Sequence, residues 1–261
     1  MAFKELVNYL CHKLHLVLNR KIKVGAVSYL NTKPLLYGIE RSGLMSGIEL
    51  IVDYPARLAK GLQQGDIDIA LLPVAAIPQI DKAHIVSDYG ICAEGNVVSV
   101  ALFSNVPVED IETVYLDYQS RTSVKLAEVL LQHYWKKKVI YKQADEQYIT
   151  AIKGVNAGVI IGDRALEQLH NFEYVYDLSA AWKELTGLDF IFAAWVANKE
   201  LPSGFTSLFN KANGEGLAHL DAVIKENPFP AYNLKTYYTE NIKYLLDEKK
   251  REGMKLFLSM I

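Results

Sequence analysis

The sequence predicts an α/β fold of two lobes, each a mostly parallel sheet flanked by helices, with a ligand cleft between them. Three observations carry that expectation. From Ile22 to Pro73, short β-branched runs alternate with helix-like stretches in the order β-α-β-α-β. A helix that ends at Gly or Asn, followed by a short strand that delivers its tip to a polar turn, occurs twice, at Leu62–Pro73 and again up to Ala157–Asp163. Two apolar runs, Val98–Phe103 and Phe190–Val196, separate the later pattern from the earlier one, as in a chain that crosses twice between lobes. The expected division is a helical extension over residues 1–20, a discontinuous first lobe of 21–100 plus 194–261, and a second lobe of 101–193.

Taken in order, Phe3, Leu6, Val7, Leu10, Leu14 and Val17 recur at helical spacing and predict an amphipathic first helix. It lacks the long apolar core and small-residue cleavage site of a signal peptide. Ile22, Val24 and Val27 form a strand that stops at a polar cluster, and a helix over Leu35–Ile39 ends at Gly43. Ile48–Val52 is the second strand. Pro55 opens a helix with Leu58, Ala59 and Leu62 on its apolar face, closed by Gly65. Asp66–Pro73 is the third strand, and Ile77–Val86 carries a short helix and the start of another strand. Strands are expected at Gly95–Phe103, Val114–Leu116, Val139–Tyr141 and Ala157–Asp163. Helices are expected after Ser120–Ser123, with Val124, Ala127, Leu130, Leu131 and Tyr134 on one face, and over Asp145–Lys153. Trp182–Leu188 is a helix end and turn before the apolar run. From Pro202 to Ile261 the pattern is helical, broken at Asn227–Pro230, with Tyr232, Tyr237, Tyr238 and Tyr244 as helix-packing residues.

The composition excludes several classes of function. A net charge of −2, with basic clusters only at Lys136–Lys138 and Lys249–Arg251, argues against a nucleic-acid partner. No stretch reaches the ~18 apolar residues a membrane span needs, so stable membrane insertion is not expected; a weak surface contact of the first helix, or a homodimer contact through it, is the second reading. Cys11 and Cys92 give neither a disulfide framework nor a metal spacing, and Cys11 with His12 and His15 is too sparse a set for zinc. A reducing, cytoplasmic compartment fits, and neither metal nor cofactor is expected.

The polar residues worth singling out sit where strands end. The turn after the first strand carries Ser28, Tyr29, Asn31 and Thr32, with Lys33 its one charge, and suits a polar small molecule; plain capping of the next helix is the competing reading. Ser120, Arg121, Thr122 and Ser123 at a helix start combine hydroxyls, a guanidinium, free amides and the positive end of the helix dipole, which together make an anion site or, more simply, an N-cap. Ser99 is a satisfied core hydroxyl unless its strand crosses the cleft, and Asp163 could pair with Arg164 at the next helix start.

Val-Ser-Tyr-Leu-Asn-Thr-Lys-Pro-Leu (27–35), Gly-Asp-Ile-Asp-Ile-Ala-Leu-Leu-Pro (65–73), Ser-Arg-Thr-Ser (120–123), Val-Ile-Ile-Gly-Asp-Arg-Ala (159–165) and Thr-Gly-Leu-Asp-Phe-Ile-Phe-Ala-Ala-Trp (186–195) together resemble the chorismate dehydratases of the futalosine route to menaquinone. The resemblance runs from about Lys21 to the C-terminus and leaves the first 20 residues unexplained. It implies the two-lobed type II fold of periplasmic binding proteins and the loss of water from chorismate to give 3-[(1-carboxyvinyl)oxy]benzoate, without metal, in the interlobe cleft. It also implies that Asn31 and Ser99 sit against the reacting part of the ring, with Asn31 holding the departing hydroxyl or stabilising developing negative charge. Substrate is then bound by Ser28 and Tyr29, by backbone groups of Leu72, Pro73 and Val74, by Ser120, Arg121, Thr122 and Ser123, and by Gly162 and Asp163. A sister enzyme of the same fold converts cyclic dehypoxanthine futalosine to 1,4-dihydroxy-6-naphthoate and carries a histidine base where this chain has Gly162; that departure favours the dehydratase. The six histidines fall outside the motifs, leaving Asp163 or the substrate's own enolpyruvyl carboxylate as base, with the second favoured. A solute receptor without catalysis and a ligand-sensing regulatory domain are the remaining classes. The first normally carries an export signal, and the second needs a helix-turn-helix segment before the lobes.

Overall fold

The computed structural model describes residues 20–261. The expected first helix, with Cys11, His12 and His15, lies outside the described residues. In chain order the strands are β1 (Ile22–Ala26), β2 (Ile48–Val52), β3 (Ile69–Pro73), β4 (His84–Ala93), β5 (Val100–Ser104), β6 (Thr113–Leu116), β7 (Ile140–Gln143), β8 (Asn156–Ile161), β9 (Tyr174–Asp177), β10 (Phe190–Ala197) and β11 (Lys243–Leu245). The helices are α1 (Lys33–Arg41), α2 (Pro55–Gln64), α3 (Thr122–His133), α4 (Asp163–Gln168), α5 (Leu178–Thr186), α6 (Phe205–Ala218), α7 (Leu220–Glu226), the short α8 (Leu234–Thr236) and α9 (Glu248–Ser259).

The chain forms two compact units. Unit 1 runs to Leu72 and adds Ala76–Gly90 and Ala193–Pro228; unit 2 holds Pro73–Ala75, Ile91–Phe192 and Phe229–Ile261. Both units are discontinuous; β4 and β10 run from one unit into the other, and β3 passes from unit 1 into unit 2 at its last residue, Pro73. These boundaries differ from the expected ones chiefly in that residues 229–261 fall in unit 2. The cause is local packing: Phe257 of α9 sits edge-on to Trp182 (6.1 Å between ring centroids) and Phe190 (5.0 Å), and α9 approaches so closely that a Cβ on Gly253 would stand 2.1 Å from the Asp189 carbonyl.

The larger sheet has the order β11-β4-β10-β3-β1-β2. β1 runs parallel to β2, from Ile22 opposite Ile48 to Ala26 opposite Val52, and parallel to β3 at Val24 and Ile69. α1 and α2 make the crossovers. Pro34 and Pro55 occupy first turns, where no amide donor is needed. Gly65 (φ +80°) closes α2 by returning its N–H to the carbonyls of Gly61 and Leu62. Leu58, Leu62, Ile67, Ala70 and Leu72 build the core under these strands. In the same unit α1 and α6 touch backbone to backbone: a Cβ on Gly38 would lie 1.9 Å from the Ala212 carbonyl.

Asp68 leads into β3 and ties down the start of β1. Its carboxylate accepts both Arg20 nitrogens (2.6 and 2.7 Å) and the Lys23 amide (2.8 Å), and stands 2.5 Å from Lys199 Nζ. Burial pushes the carboxyl up, but these donors outweigh it and hold it at about 2. A carboxylate held below its unfolded value adds stability above pH ~4, and that stability is lost as the pH falls from ~4 toward 2. Asp68→Asn is therefore expected to flatten the acid limb of stability over that interval, read as unfolding midpoints in urea at stepped pH. Parallel limbs for both proteins would overturn the assignment.

The second sheet has the order β7-β6-β8-β5-β9 and is mixed. β6 is parallel to β7 and β8, whereas β5 is antiparallel to β8 and β9. Three local expectations are corrected here. The strand expected over Gly95–Phe103 begins only at Val100, because Val98 takes φ +57° and breaks the extended run. Asp145–Lys153 is not a helix but a single 3-10 turn at Tyr148–Ala151, with the Asp145 side chain accepting the Gln147 amide at 2.9 Å. The C-terminal segment is not continuously helical: a π turn over Tyr237–Asn241 and β11 interrupt it.

Candidate functional site

In unit 1, β1 ends at Ala26 and delivers a polar turn. Ser28 is exposed and accepts Lys33 Nζ at 2.8 Å; Tyr29 is half-buried and its carbonyl accepts the Thr32 amide, opening a 3-10 turn over Leu30–Thr32. Asn31 is half-buried, and its Oδ1 accepts the hydroxyl of the buried Thr32 at 3.1 Å. That bond fixes which way the amide faces: the carbonyl side is turned to Thr32, the NH₂ side away from it. Leu72 is wholly buried in the unit 1 core, which leaves its side chain to packing.

In unit 2, the Ser120–Ser123 stretch is shaped by Asp117, which no sequence motif marks. Asp117 is buried at the end of β6, and its Oδ1 accepts the Gln119 amide (2.8 Å). The same carboxylate accepts Arg164 Nη2 at 2.7 and 3.0 Å and meets the Tyr148 hydroxyl at 2.8 Å. Arg164 thus pairs with Asp117, 47 residues earlier in the chain. Burial lowers the Arg164 guanidinium, but the adjoining Asp117 charge more than offsets it and leaves it raised. Above this anchor Ser120 Oγ caps α3 by accepting the Ser123 amide (3.0 Å), and the buried Thr122 Oγ1 accepts the Ala75 amide (3.2 Å). The Ser120–Ser123 turn and the Pro73–Ala75 segment are therefore brought together in this unit. Val74 is buried and Pro73 half-buried, so that segment too presents backbone. Arg121 is exposed at the helix N-cap, where its charge adds to the positive end of α3.

Ser99 is bound at its amide, its carbonyl and its hydroxyl. It is 1% exposed and precedes β5. Its amide closes an i→i+2 turn to the Val97 carbonyl (2.7 Å), its carbonyl accepts the Gly162 amide (2.7 Å), and its Oγ accepts the Tyr237 hydroxyl (2.8 Å). The γ-turn is centred on Val98 at φ +57°, a conformation that costs a β-branched residue about 1–3 kcal/mol. Asp177 holds it: Oδ2 accepts the Val98 amide at 2.7 Å while Oδ1 accepts the Ser179 and Ala180 amides and caps α5. Burial pushes the Asp177 carboxyl up to about 6 even against those donors.

Tyr237 is fully buried in the π turn; its sequence signal, an aromatic pair with Tyr238, is the same as that of helix packing. Burial pushes its phenol well above the usual value, with the Asp163 charge adding to the rise, as it does at Tyr238. Both phenols therefore stay protonated at working pH, and Asp163, half-buried at the start of α4, is electrostatically coupled to them. Gly162 carries φ +65° and ψ −145°, a region essentially reserved for glycine. Unit 2 thus assembles Ser99, Gly162, Asp163 and Tyr237 at one place and Pro73–Ala75 with Ser120–Ser123 at another, while Ser28, Tyr29 and Asn31 belong to unit 1. Such an arrangement offers neutral donors and a helix N-terminus, the equipment for holding a carboxylate and for receiving charge on a departing oxygen. Among the described residues no group of three or more His, Cys, Asp or Glu side chains could hold a metal, and no helix is long and apolar enough to cross a membrane.

Comparison with known proteins places this arrangement in a family. The chain is 26% identical to a chorismate dehydratase of Thermus thermophilus, over 91% of this chain and 94% of the relative. It is 28% identical to a chorismate dehydratase of Campylobacter jejuni, over 90% and 95% of the two chains. Among solved structures, a protein from Archaeoglobus fulgidus superposes with TM-score 0.72 at 16% identity, covering 92% of this chain and 96% of that one. The aliphatic sulphonate binding protein SsuA of Escherichia coli does so with TM-score 0.59 at 14% identity, covering 92% of each. These structural likenesses establish the periplasmic-binding-protein type of fold. The family model described as menaquinone biosynthesis matches residues 22–261, the two units with all the site residues named above, and the chain belongs to that family.

Proposed function

We propose that this protein is a hydro-lyase that converts chorismate to 3-[(1-carboxyvinyl)oxy]benzoate and water. The observation that carries the proposal is the fixing of Ser99, whose amide, carbonyl and hydroxyl are each bound while Tyr237 donates into its Oγ. A hydroxyl held so presents its own proton as a donor. In an aromatising elimination the need is for donors at the departing oxygen and for a base at the C–H. Ser99 and Asn31 take the first task. The enolpyruvyl carboxylate of the substrate takes the proton, which leaves with the hydroxyl as water. Ser120, Thr122 and Ser123, with the Arg121 charge and the amides that open α3, hold a substrate carboxylate; the Pro73–Val74 backbone, Gly162, Ser28 and Tyr29 complete the contacts.

The related naphthoate-forming reaction, which calls for a histidine base in place of Gly162, is disfavoured because glycine stands there, in a backbone conformation (φ +65°, ψ −145°) that residues with a Cβ avoid. A cytoplasmic location accompanies the reading, in keeping with Cys92 as a wholly buried free thiol.

The direct test is to incubate the purified protein with chorismate alone and follow products by chromatography with mass detection. A product lighter by one water is expected; chorismate bound tightly but unchanged would mean a receptor and overturn the proposal. Asp163→Asn then decides the base. Little change in turnover is expected, and a loss of ~10²–10⁴-fold with unchanged binding would make Asp163 the base instead of the substrate carboxylate.

A further inference from the structure

We infer that Asp177 is a positioning residue for the dehydration: it holds the strained turn at Val98 so that Ser99 meets the substrate as a hydrogen-bond donor. The inference rests on the reading of Ser99 as a catalytic donor, and it adds Asp177, Val98 and Tyr237 as the device that sets it.

Four observations converge. Val98 sits at φ +57°, a place where glycine would be at ease and valine is not. Its amide nevertheless has a charged acceptor, Asp177 Oδ2 at 2.7 Å, and this tie holds the residue there. The turn so held closes from the Ser99 amide to the Val97 carbonyl and sets Ser99 directly before β5, where its carbonyl takes the Gly162 amide next to the Val100–Ile161 pair. Finally, the Tyr237 hydroxyl donates to Ser99 Oγ at 2.8 Å from a π turn, the kind of helical irregularity that tends to mark functional positions. With the Tyr237 hydroxyl donating into Ser99 Oγ, the Ser99 proton is directed elsewhere, to an acceptor such as the oxygen that leaves. The fold keeps the unfavourable backbone and spends a buried carboxylate on it.

Asp177 has a second task, the cap of α5, and the test separates the two. Asparagine caps helices as well as aspartate does, and with its carbonyl turned to Ser179 and Ala180 it presents an NH₂ to the Val98 amide in place of an acceptor. In Asp177→Asn, kcat for chorismate is expected to fall about 10²-fold through misplacement of Ser99, with KM little changed. Amide hydrogen exchange at Val98 and Ser99 is expected to accelerate while Ser179 and Ala180 stay protected. Adding Val98→Gly to that variant is expected to restore part of kcat, because glycine takes φ +57° without being held. Tyr237→Phe, which removes only the donor to Ser99, is expected to lose about tenfold in kcat and gives a reading of the same device should the Asp177 variant fold poorly. Unchanged kcat and unchanged exchange in Asp177→Asn, or a loss in KM alone, or a loss untouched by Val98→Gly, would overturn the inference. If the unaltered protein leaves chorismate intact, the functional reading falls, whereas exchange at Val98 still decides whether Asp177 holds the turn.

Discussion

Asn31→Ala is expected to lower kcat for chorismate dehydration by about 10²–10³-fold, the usual cost of removing one oriented donor from a site where negative charge develops. As the carbon–oxygen bond of the ring hydroxyl breaks, charge gathers on that oxygen, and a donor already in place needs no reorganisation to meet it. Asn31 meets the requirement for pre-orientation: Thr32, itself buried, donates to its Oδ1 at 3.1 Å and settles which side of the amide is the donor side. The loss should therefore fall on kcat and kcat/KM together, with KM within a few-fold, since the interaction matters only in the transition state. Asn31→Asp, equal in size but with the donor replaced by an acceptor, should be at least as poor. Asn31 is half-exposed at a turn and fills no core position, so both variants should unfold within ~0.5 kcal/mol of the original protein. Retention of kcat within threefold in Asn31→Ala would remove Asn31 from the reaction.

The parts of the fold legible in the sequence are those written in local patterns. β1, β2 and β3, with α1 and α2 between them, follow from β-branched runs, from Pro34 and Pro55 at helix starts and from Gly65 at a helix end, because each of these acts within a few residues. The turn at Val98 was not legible: Gly-Asn-Val-Val-Ser-Val reads as a strand, and only the carboxylate of Asp177, 79 residues later, makes the positive φ tenable. The π turn at Tyr237 is missed for the same reason, since a buried phenol with a distant serine as partner looks like packing to any periodicity argument.

The candidate site divides in the same way. The polar residues proposed for the chemistry (Asn31, Ser99 and the Ser120–Ser123 turn) stand in motifs that can be read from the sequence. The residues that hold them could not. Asp117 and Asp177 both stand at the ends of short strands, followed within two or three residues by amides they cap. That Asx pattern was the available signal, but it points to a turn and says nothing of the second partner each carboxylate finds across the unit, Arg164 in one case and Val98 in the other.

For Asp117 the consequence is measurable. Asp117→Asn is expected to destabilise the protein by ~3 kcal/mol, the lower end of what removal of one partner from a buried ion pair costs. The carboxylate is fully buried, while a quarter of the Arg164 side chain reaches solvent, so the stranded guanidinium recovers some hydration and the upper end is not reached. An asparagine Oδ1 can still accept the Gln119 amide, and the Tyr148 hydroxyl keeps the Val159 carbonyl at 2.7 Å; the turn into α3 is thereby spared and the loss is mainly one of charge. The check is urea unfolding at neutral pH, where the midpoint should drop without a change in slope. Adding Arg164→Met tests the cause. If the cost lies in an unpaired buried cation, the double variant is more stable than Asp117→Asn alone, with a coupling of the size expected for residues in direct contact. If the two losses simply add, Asp117 matters through the turn that it caps and not through the charge it neutralises.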